Sequence, residues 1–227
     1  MRDTEDKKLA VMIDADNAQA SICSELLDEI AKFGVASIKR AYGDWTTSGL
    51  NSWKDHLHSH AIQPIQQFSY TTGKNSTDSS LIIDAMDLLH EKALDGFCLV
   101  SSDSDFTRLA TRIRESGLVV YGFGEQKTPE PFVSACDKFV FTEILRPVVE
   151  TNSQLENKDN YKLPELKPMI TSAIDAVSKE DGWATLAEVG DYISKKHTSF
   201  DPRNYKFDKL GKLVKSLEYV EYEERKY

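Results

Sequence analysis

Cysteine is scarce in this chain. Cys23, Cys98 and Cys136 are odd in number and far apart, and no Cys-x-x-Cys pair occurs. No Cys/His group has zinc-finger spacing, so a reduced, cytoplasmic protein without structural disulfides is expected. Long apolar runs are also missing. The longest, residues 9–13 and 97–100, fall far short of the roughly 20 residues that span a bilayer. No transmembrane helix and no membrane partner are expected. The first eight residues mix acids and bases without the apolar stretch of a signal peptide. Glycine-rich phosphate loops are absent, and Gly122-Phe-Gly124 is too short for a dinucleotide fingerprint. No Ser-His-Asp order is defensible, and Cys98 reads as a buried strand residue. Positive charge is not in excess either. The net charge of −9 excludes a generic DNA coater, but not an enzyme that meets phosphodiesters through cations.

What is present suffices for a core. Of the 227 residues, 40% are hydrophobic, which excludes disorder for most of the chain. Charge is unevenly spread. Residues 1–150 hold 15 Lys and Arg against 23 Asp and Glu, whereas residues 151–227 hold 13 against 14. Two modules with different tasks are implied. In the first, apolar runs and helical spacing alternate. Strands are predicted over 9–13, 35–42, 62–68, 97–101, 118–121 and 138–142. Helices are predicted over 21–33, 50–58, 78–92 and 106–116, with Gly34 and Gly117 as stops. Pro64 places the third strand near an edge. This alternation gives an α/β fold with a mainly parallel sheet. Residues 149–162 hold almost no apolar side chains and read as a linker. Beyond them, helices are predicted over 169–177, 186–195 and 205–217, followed by an edge strand over 219–224. That is a small winged-helix-like unit.

The chemistry lies in where carboxylates fall. Asp14 and Asp16 follow the first strand, Asp78 opens the central helix, and Asp103 and Asp105 follow the fourth strand. In a parallel sheet, residues just past the carboxyl ends of strands meet at one crevice. Carboxylates gathered there repel one another unless protonated or bridged by cations, and hard oxygen ligands suit Mg²⁺ or Mn²⁺. Each position also has a structural reading. Asp16 or Asn17 could cap the first helix, Asp78 the central one, and Ser102-x-x-Asp105 could form a capping box. Taken singly, the caps are favoured; taken jointly, three acidic sites at one end of the sheet favour a cation site. Asp84, Asp87 and Glu91 read as a solvated helix face.

Four motifs in order, Asp14-Ala-Asp-Asn17, Arg40-Ala-Tyr-Gly-Asp-Trp45, Asn75-Ser-Thr-Asp78 with Asp84-Ala-Met86, and Ser101-Ser-Asp-Ser-Asp-Phe106, resemble the NYN family. This is the LabA-like and limkain-type branch of the PIN-like nucleases. The resemblance spans residues 8–148. It implies a three-layer α/β/α domain and metal-dependent ribonuclease chemistry. By position, the implied ligands of Mg²⁺ or Mn²⁺ are Asp14, Asp78, Asp103 and Asp105, with Asn17 as a polar helper and Asp16 beside them. Residues 163–227 resemble the LOTUS (OST-HTH) domain through Gly182-Trp-Ala-Thr-Leu-Ala-Glu-Val-Gly190, Phe200-Asp-Pro-Arg-Asn-Tyr205 and Leu210-Gly-Lys-Leu-Val214. That family implies RNA or protein binding.

The expected reaction is hydrolysis of single-stranded RNA, leaving 5′-phosphate and 3′-hydroxyl ends. Arg40 and Lys74 are candidate phosphate contacts near the crevice. Tyr42 and Trp45 either stack on a base or pack the rim. Lys206, Lys209, Lys212 and Lys215 recur every third residue and would form one basic stripe on a helix. The stripe has two readings, a solvated lysine face or a phosphate-contacting surface. Of His56, His58 and His60, only His56 and His60 share a helix face, and the sequence sets no Cys or acidic partner beside them. They read as a solvated cluster. Two rivals stand. Asp14-x-Asp16 with a later acidic pair also resembles the haloacid-dehalogenase-like phosphatases, whose first Asp is a covalent nucleophile. Asn17 and the lack of a placed lysine weigh against it. The other rival is a catalytically silent adaptor that binds RNA or protein.

Overall fold

In the computed structural model, residues 7–68, 76–90, 94–146 and 163–224 are described. The expected linker 149–162, Lys74 and Glu91 lie outside them. The chain divides into two compact units, Met1–Tyr161 and Lys162–Tyr227.

The first unit is built on six strands: β1 (Lys8–Asp14), β2 (Val35–Gly43), β3 (Gln63–Gln66), β4 (Gly96–Val100), β5 (Val119–Gly124) and β6 (Lys138–Phe141). All neighbours pair in parallel, in the order β3-β2-β1-β4-β5-β6. β1 and β4 are central and buried nearly end to end, so both read as unbroken apolar runs rather than alternating ones. β3 lies at an edge, where Pro64 removes no needed ladder donor. The helices that flank the sheet are α1 (Cys23–Ile30), α2 (Lys54–Ser59), α3 (Ser76–His90), α4 (Thr107–Glu115) and α5 (Glu130–Ala135).

The pattern of strands and helices agrees with the sequence reading, with two differences. α5 has no counterpart there; Pro129 and Pro131 flank its start, where a missing N–H costs nothing. The two predicted glycine stops also act differently. Gly117 takes φ +84° after α4, the left-handed turn that glycine permits. Gly34 is not left-handed. A side chain there would bring Cβ within 2.3 Å of the Lys7 carbonyl, so the position is set by close approach of β1's entry.

The chain runs β1 to β3 in one direction across the sheet, then returns to β4 and runs to β6 in the other. The reversal falls between β1 and β4. A crevice at the carboxyl ends of strands opens at such a switch point. Asp14 ends β1, and the Ser101–Asp105 turn leaves β4, so the topology brings both acidic motifs to that crevice.

The second unit holds α6 (Leu166–Val177), α7 (Leu186–Lys196), a 3-10 turn (Pro202–Tyr205) and α8 (Leu210–Lys215). Its core is Met169, Ile170, Ala173, Val189, Ile193, Phe200 and Leu213. Thr185 and Glu188 form a reciprocal capping box at the start of α7. The predicted helix over 205–217 is broken. Asp201 caps the 3-10 turn by accepting from the Arg203 N–H, and Lys206 turns left-handed at φ 67°. The Tyr205 hydroxyl donates to the Pro164 carbonyl at 2.7 Å. Tertiary anchoring thus overrides helix propensity at this point. Residues 219–224 alternate in polarity but form no strand.

Candidate metal centre and nucleic-acid surface

Asp14 is fully buried at the end of β1. Its Oδ2 accepts from Asn17 Nδ2 at 2.7 Å and from Ser101 Oγ at 2.8 Å. Its Oδ1 is buried with no hydrogen-bond partner. Burial pushes the Asp14 carboxyl up, against the two donated hydrogen bonds that favour its charge. A buried carboxylate oxygen left unpaired costs stability unless a proton or a cation meets it.

Asp78 lies in the first turn of α3 and is 8% exposed. Carboxylate oxygens of Asp78, Asp103 and Asp105 come within 4.8 Å of one another. Burial raises the Asp78 carboxyl to about 6, helped by the charges of Asp14, Asp103, Asp105 and Asp16. Of the four expected ligands, three thus form one cluster, and Asp14 acts on it through its field. Asp16 is exposed and accepts from Thr77 Oγ1 at 2.9 Å.

The capping readings separate here. Asp103 caps the turn after β4, its Oδ1 accepting from the Asp105 N–H at 2.9 Å. The Ser102–Asp105 box does not form, because Ser102 Oγ accepts from the Glu125 N–H across the sheet end. Neither Asp16 nor Asn17 caps a helix, since Gln19 precedes the first turn and makes no side-chain cap. Asp78 sits inside α3's first turn, where its charge meets the helix dipole.

Two expectations about the rim are corrected. Asp84 is not part of a solvated face. It accepts from Arg40 Nη1 and from the Tyr42 hydroxyl. Arg40 and Tyr42 are two apart on β2 and so share a side, which α3 covers with Asp84. That spacing was the available signal. Arg40's charge is spent within the protein, and the fully buried Tyr42 offers no stacking face. Trp45 packs the rim, donating from Nε1 to the Ile65 carbonyl at 3.0 Å. Ser101 was missed as a participant: its hydroxyl donates to Asp14 and accepts from the Asp103 N–H at 3.1 Å. The Ser-x-Asp spacing at a strand end is its signal.

The lysines of the second unit do not form the expected single helical stripe. Lys206 is left-handed and Lys209 precedes α8, so only Lys212 and Lys215 are helical. Compensating acids are also closer than the sequence suggests. Lys212 pairs with Asp208 at 2.8 Å and Lys215 with Glu224. Lys209, Lys212 and Lys215 nevertheless line one groove of about 730 Å³ with Leu186, Gly190 and Tyr222.

Residues 8–145 match the NYN domain model. The chain belongs to the NYN family. The NYN domain is part of the PIN-like nuclease superfamily, and the six-stranded parallel sheet flanked by helices is consistent with that fold. Residues 161–227 match the OST-HTH/LOTUS domain. The fold of the NYN unit is similar to that of a protein of unknown function from Vibrio parahaemolyticus. That likeness has a TM-score of 0.52 and 17% identity, covering 61% of this chain and 94% of the other. No curated protein matches. Among the described residues, no helix is long and apolar enough to cross a membrane. The phosphatase rival fits poorly, because a covalent nucleophile must reach phosphorus and Asp14 is fully buried.

Proposed function

We propose that this NYN protein is a divalent-metal-dependent ribonuclease that hydrolyses single-stranded RNA phosphodiesters. The observation that carries this reading is the cluster of Asp78, Asp103 and Asp105 within 4.8 Å, beside the buried, half-unpaired Asp14. The donor set fits a hard divalent ion: it is all carboxylate oxygen, and it includes one buried oxygen that lacks a partner. Asp14, Asp78, Asp103 and Asp105 would hold Mg²⁺ or Mn²⁺. Such an ion, when bound, supplies charge neutralisation at a phosphodiester and an activated water.

The chain's own groups prepare that site. Asn17 and Ser101 fix the Asp14 carboxylate by donating to the same oxygen, which leaves the other buried and without a hydrogen-bond partner. Asp103 is held by its cap to the Asp105 N–H. Burial and the nearby carboxylates push the Asp78 carboxyl up to about 6. The LOTUS domain adds RNA affinity, with Lys209, Lys212 and Lys215 as phosphate contacts; a protein partner for that domain is the other outcome. Cleavage of a labelled single-stranded RNA by the full chain, with Mn²⁺ or with chelator, tests the proposal. Cleavage that needs Mn²⁺ and is lost in folded Asp78→Asn and Asp103→Asn supports it. Folded variants that cut as the wild type does would assign the activity to another site or a contaminant.

A further inference from the structure

The three histidines of residues 56–60 are not the isolated cluster that the sequence suggests. The fold sets Cys23, the first residue of α1, against His56 of α2 and its capping residue His60. One ligand atom from each of the three lies within 4.8 Å of the others. Cys23 is fully buried, His56 and His60 are half-buried, and His58 is exposed. The two imidazoles stand four residues apart, one helical turn, with centroids 6.1 Å apart and planes within 6° of parallel. Their backbone is held. The His60 N–H donates to the His56 carbonyl at 3.0 Å, and Lys39 Nζ donates to the His60 carbonyl. The buried Trp53 indole meets His56 edge-on at 6.5 Å.

A thiol and two imidazoles are a donor set unlike the carboxylates of the acidic crevice. Hard ions prefer oxygen, whereas sulfur with imidazole nitrogen selects zinc and similar borderline ions. Zinc takes its ligands at about 2.0–2.3 Å in a tetrahedron. Ligand atoms then stand roughly 3.3–3.8 Å apart, so side-chain rotations of about 1 Å would close this site. The helical spacing of His56 and His60 matches the His-x₃-His pairs that hold zinc.

We propose that Cys23, His56 and His60 form a second metal site, selective for zinc, that clamps α1 to α2. Three protein ligands leave the fourth position to water or a small anion. Burial pushes the metal-free Cys23 thiol up to about 11, with Glu25 raising it further and Lys39 lowering it. The group is therefore a thiol until an ion arrives, and coordination transfers its proton to the solvent as the sulfur–metal bond forms. The site is independent of the nuclease reading, since it shares no residue with the acidic crevice.

Cobalt(II) is the probe, because a thiolate ligand gives it a charge-transfer band that oxygen ligands do not. The full chain is stripped with chelator and titrated with Co²⁺. A band that saturates at one ion per chain and is displaced by Zn²⁺ is expected. It should vanish in Cys23→Ser. In the folded variants His56→Gln and His60→Gln, affinity should fall by about tenfold or more, since even an outer-shell loss costs about 10–100-fold. The Asp78→Asn/Asp103→Asn double variant should keep the band, which separates this site from the crevice. No thiolate band in the folded wild type would overturn the proposal. So would a band of unchanged affinity in folded His56→Gln and His60→Gln, a readout that stands even if Cys23→Ser does not fold.

Discussion

The two units treat charge in opposite ways. At the carboxyl ends of β1 and β4, carboxylates from separate segments converge, and the charges that act most on Asp78 are other carboxylates. In the LOTUS unit, several basic side chains meet an acid nearby. Lys195 pairs with Asp191, Arg203 with Asp201, Lys212 with Asp208 and Lys215 with Glu224. The exposed pairs among them are screened by solvent and carry little information about function. Like charges crowded in a crevice cost stability unless a proton or a cation meets them. The difference teaches that a cluster's informative property is whether the fold neutralises it.

That contrast can be broken most severely through turnover. Asp78→Asn or Asp103→Asn should lower Mn²⁺-dependent RNA cleavage by roughly 100-fold or more, since losing a ligand removes the ion's placement. Lys209→Glu/Lys212→Glu should leave the chemical step untouched. Single-turnover rates at saturating RNA separate the two.

Asp84→Ala tests an acidic residue of α3 whose charge is already compensated. It strands the Arg40 guanidinium and the Tyr42 hydroxyl. Breaking a buried pair costs about 3–5 kcal/mol. With both side chains about a quarter exposed, a loss of about 2 kcal/mol is expected, read from the urea midpoint. A loss below about 0.5 kcal/mol would place the pair with the surface ones.

Asp78→Asn should do the reverse in metal-free protein. The folded chain keeps the Asp78 proton to about pH 6, against 3.8 for the ordinary carboxyl. Folding therefore takes up a proton between those values, and stability falls as pH rises through that window. Above it the repulsion is complete. The neutral Asn should stabilise the chelated protein by about 1 kcal/mol at pH 7. That is well under the roughly 3 kcal/mol that the full displacement from 3.8 to about 6 would give, because solvent screens the crevice. The substitution should also flatten the pH dependence between 4 and 6. Added Mn²⁺ should invert the order, raising the melting temperature of the wild type alone. Thermal melts with chelator and with Mn²⁺ check both signs.

The smallest effect belongs to the lysine groove. Lys209→Glu/Lys212→Glu in the full chain should weaken RNA binding several-fold at low salt. It should also reduce the slope of affinity against salt by about two counterions. Equal affinity at both salt concentrations would assign the groove to a protein partner instead.

The sequence by itself determined the α/β alternation, because apolar period is set by local geometry and needs no partner. It also determined that acidic residues follow the first and fourth strands, and through its motifs the NYN and LOTUS identities. Whether Asp16, Asn17, Asp78 or Asp105 serves a helix cap was not legible, because caps depend on where the chain turns, to within a residue. The broken helix at Lys206 was not legible either, since the Tyr205–Pro164 contact spans 41 residues. Tertiary structure alone decided which charges are answered. Asp84 found Arg40 and Tyr42 across 44 and 42 residues, and Cys23 found His56 and His60. Side-chain pairs that distant are fixed by strand order and helix packing, and no local periodicity encodes them.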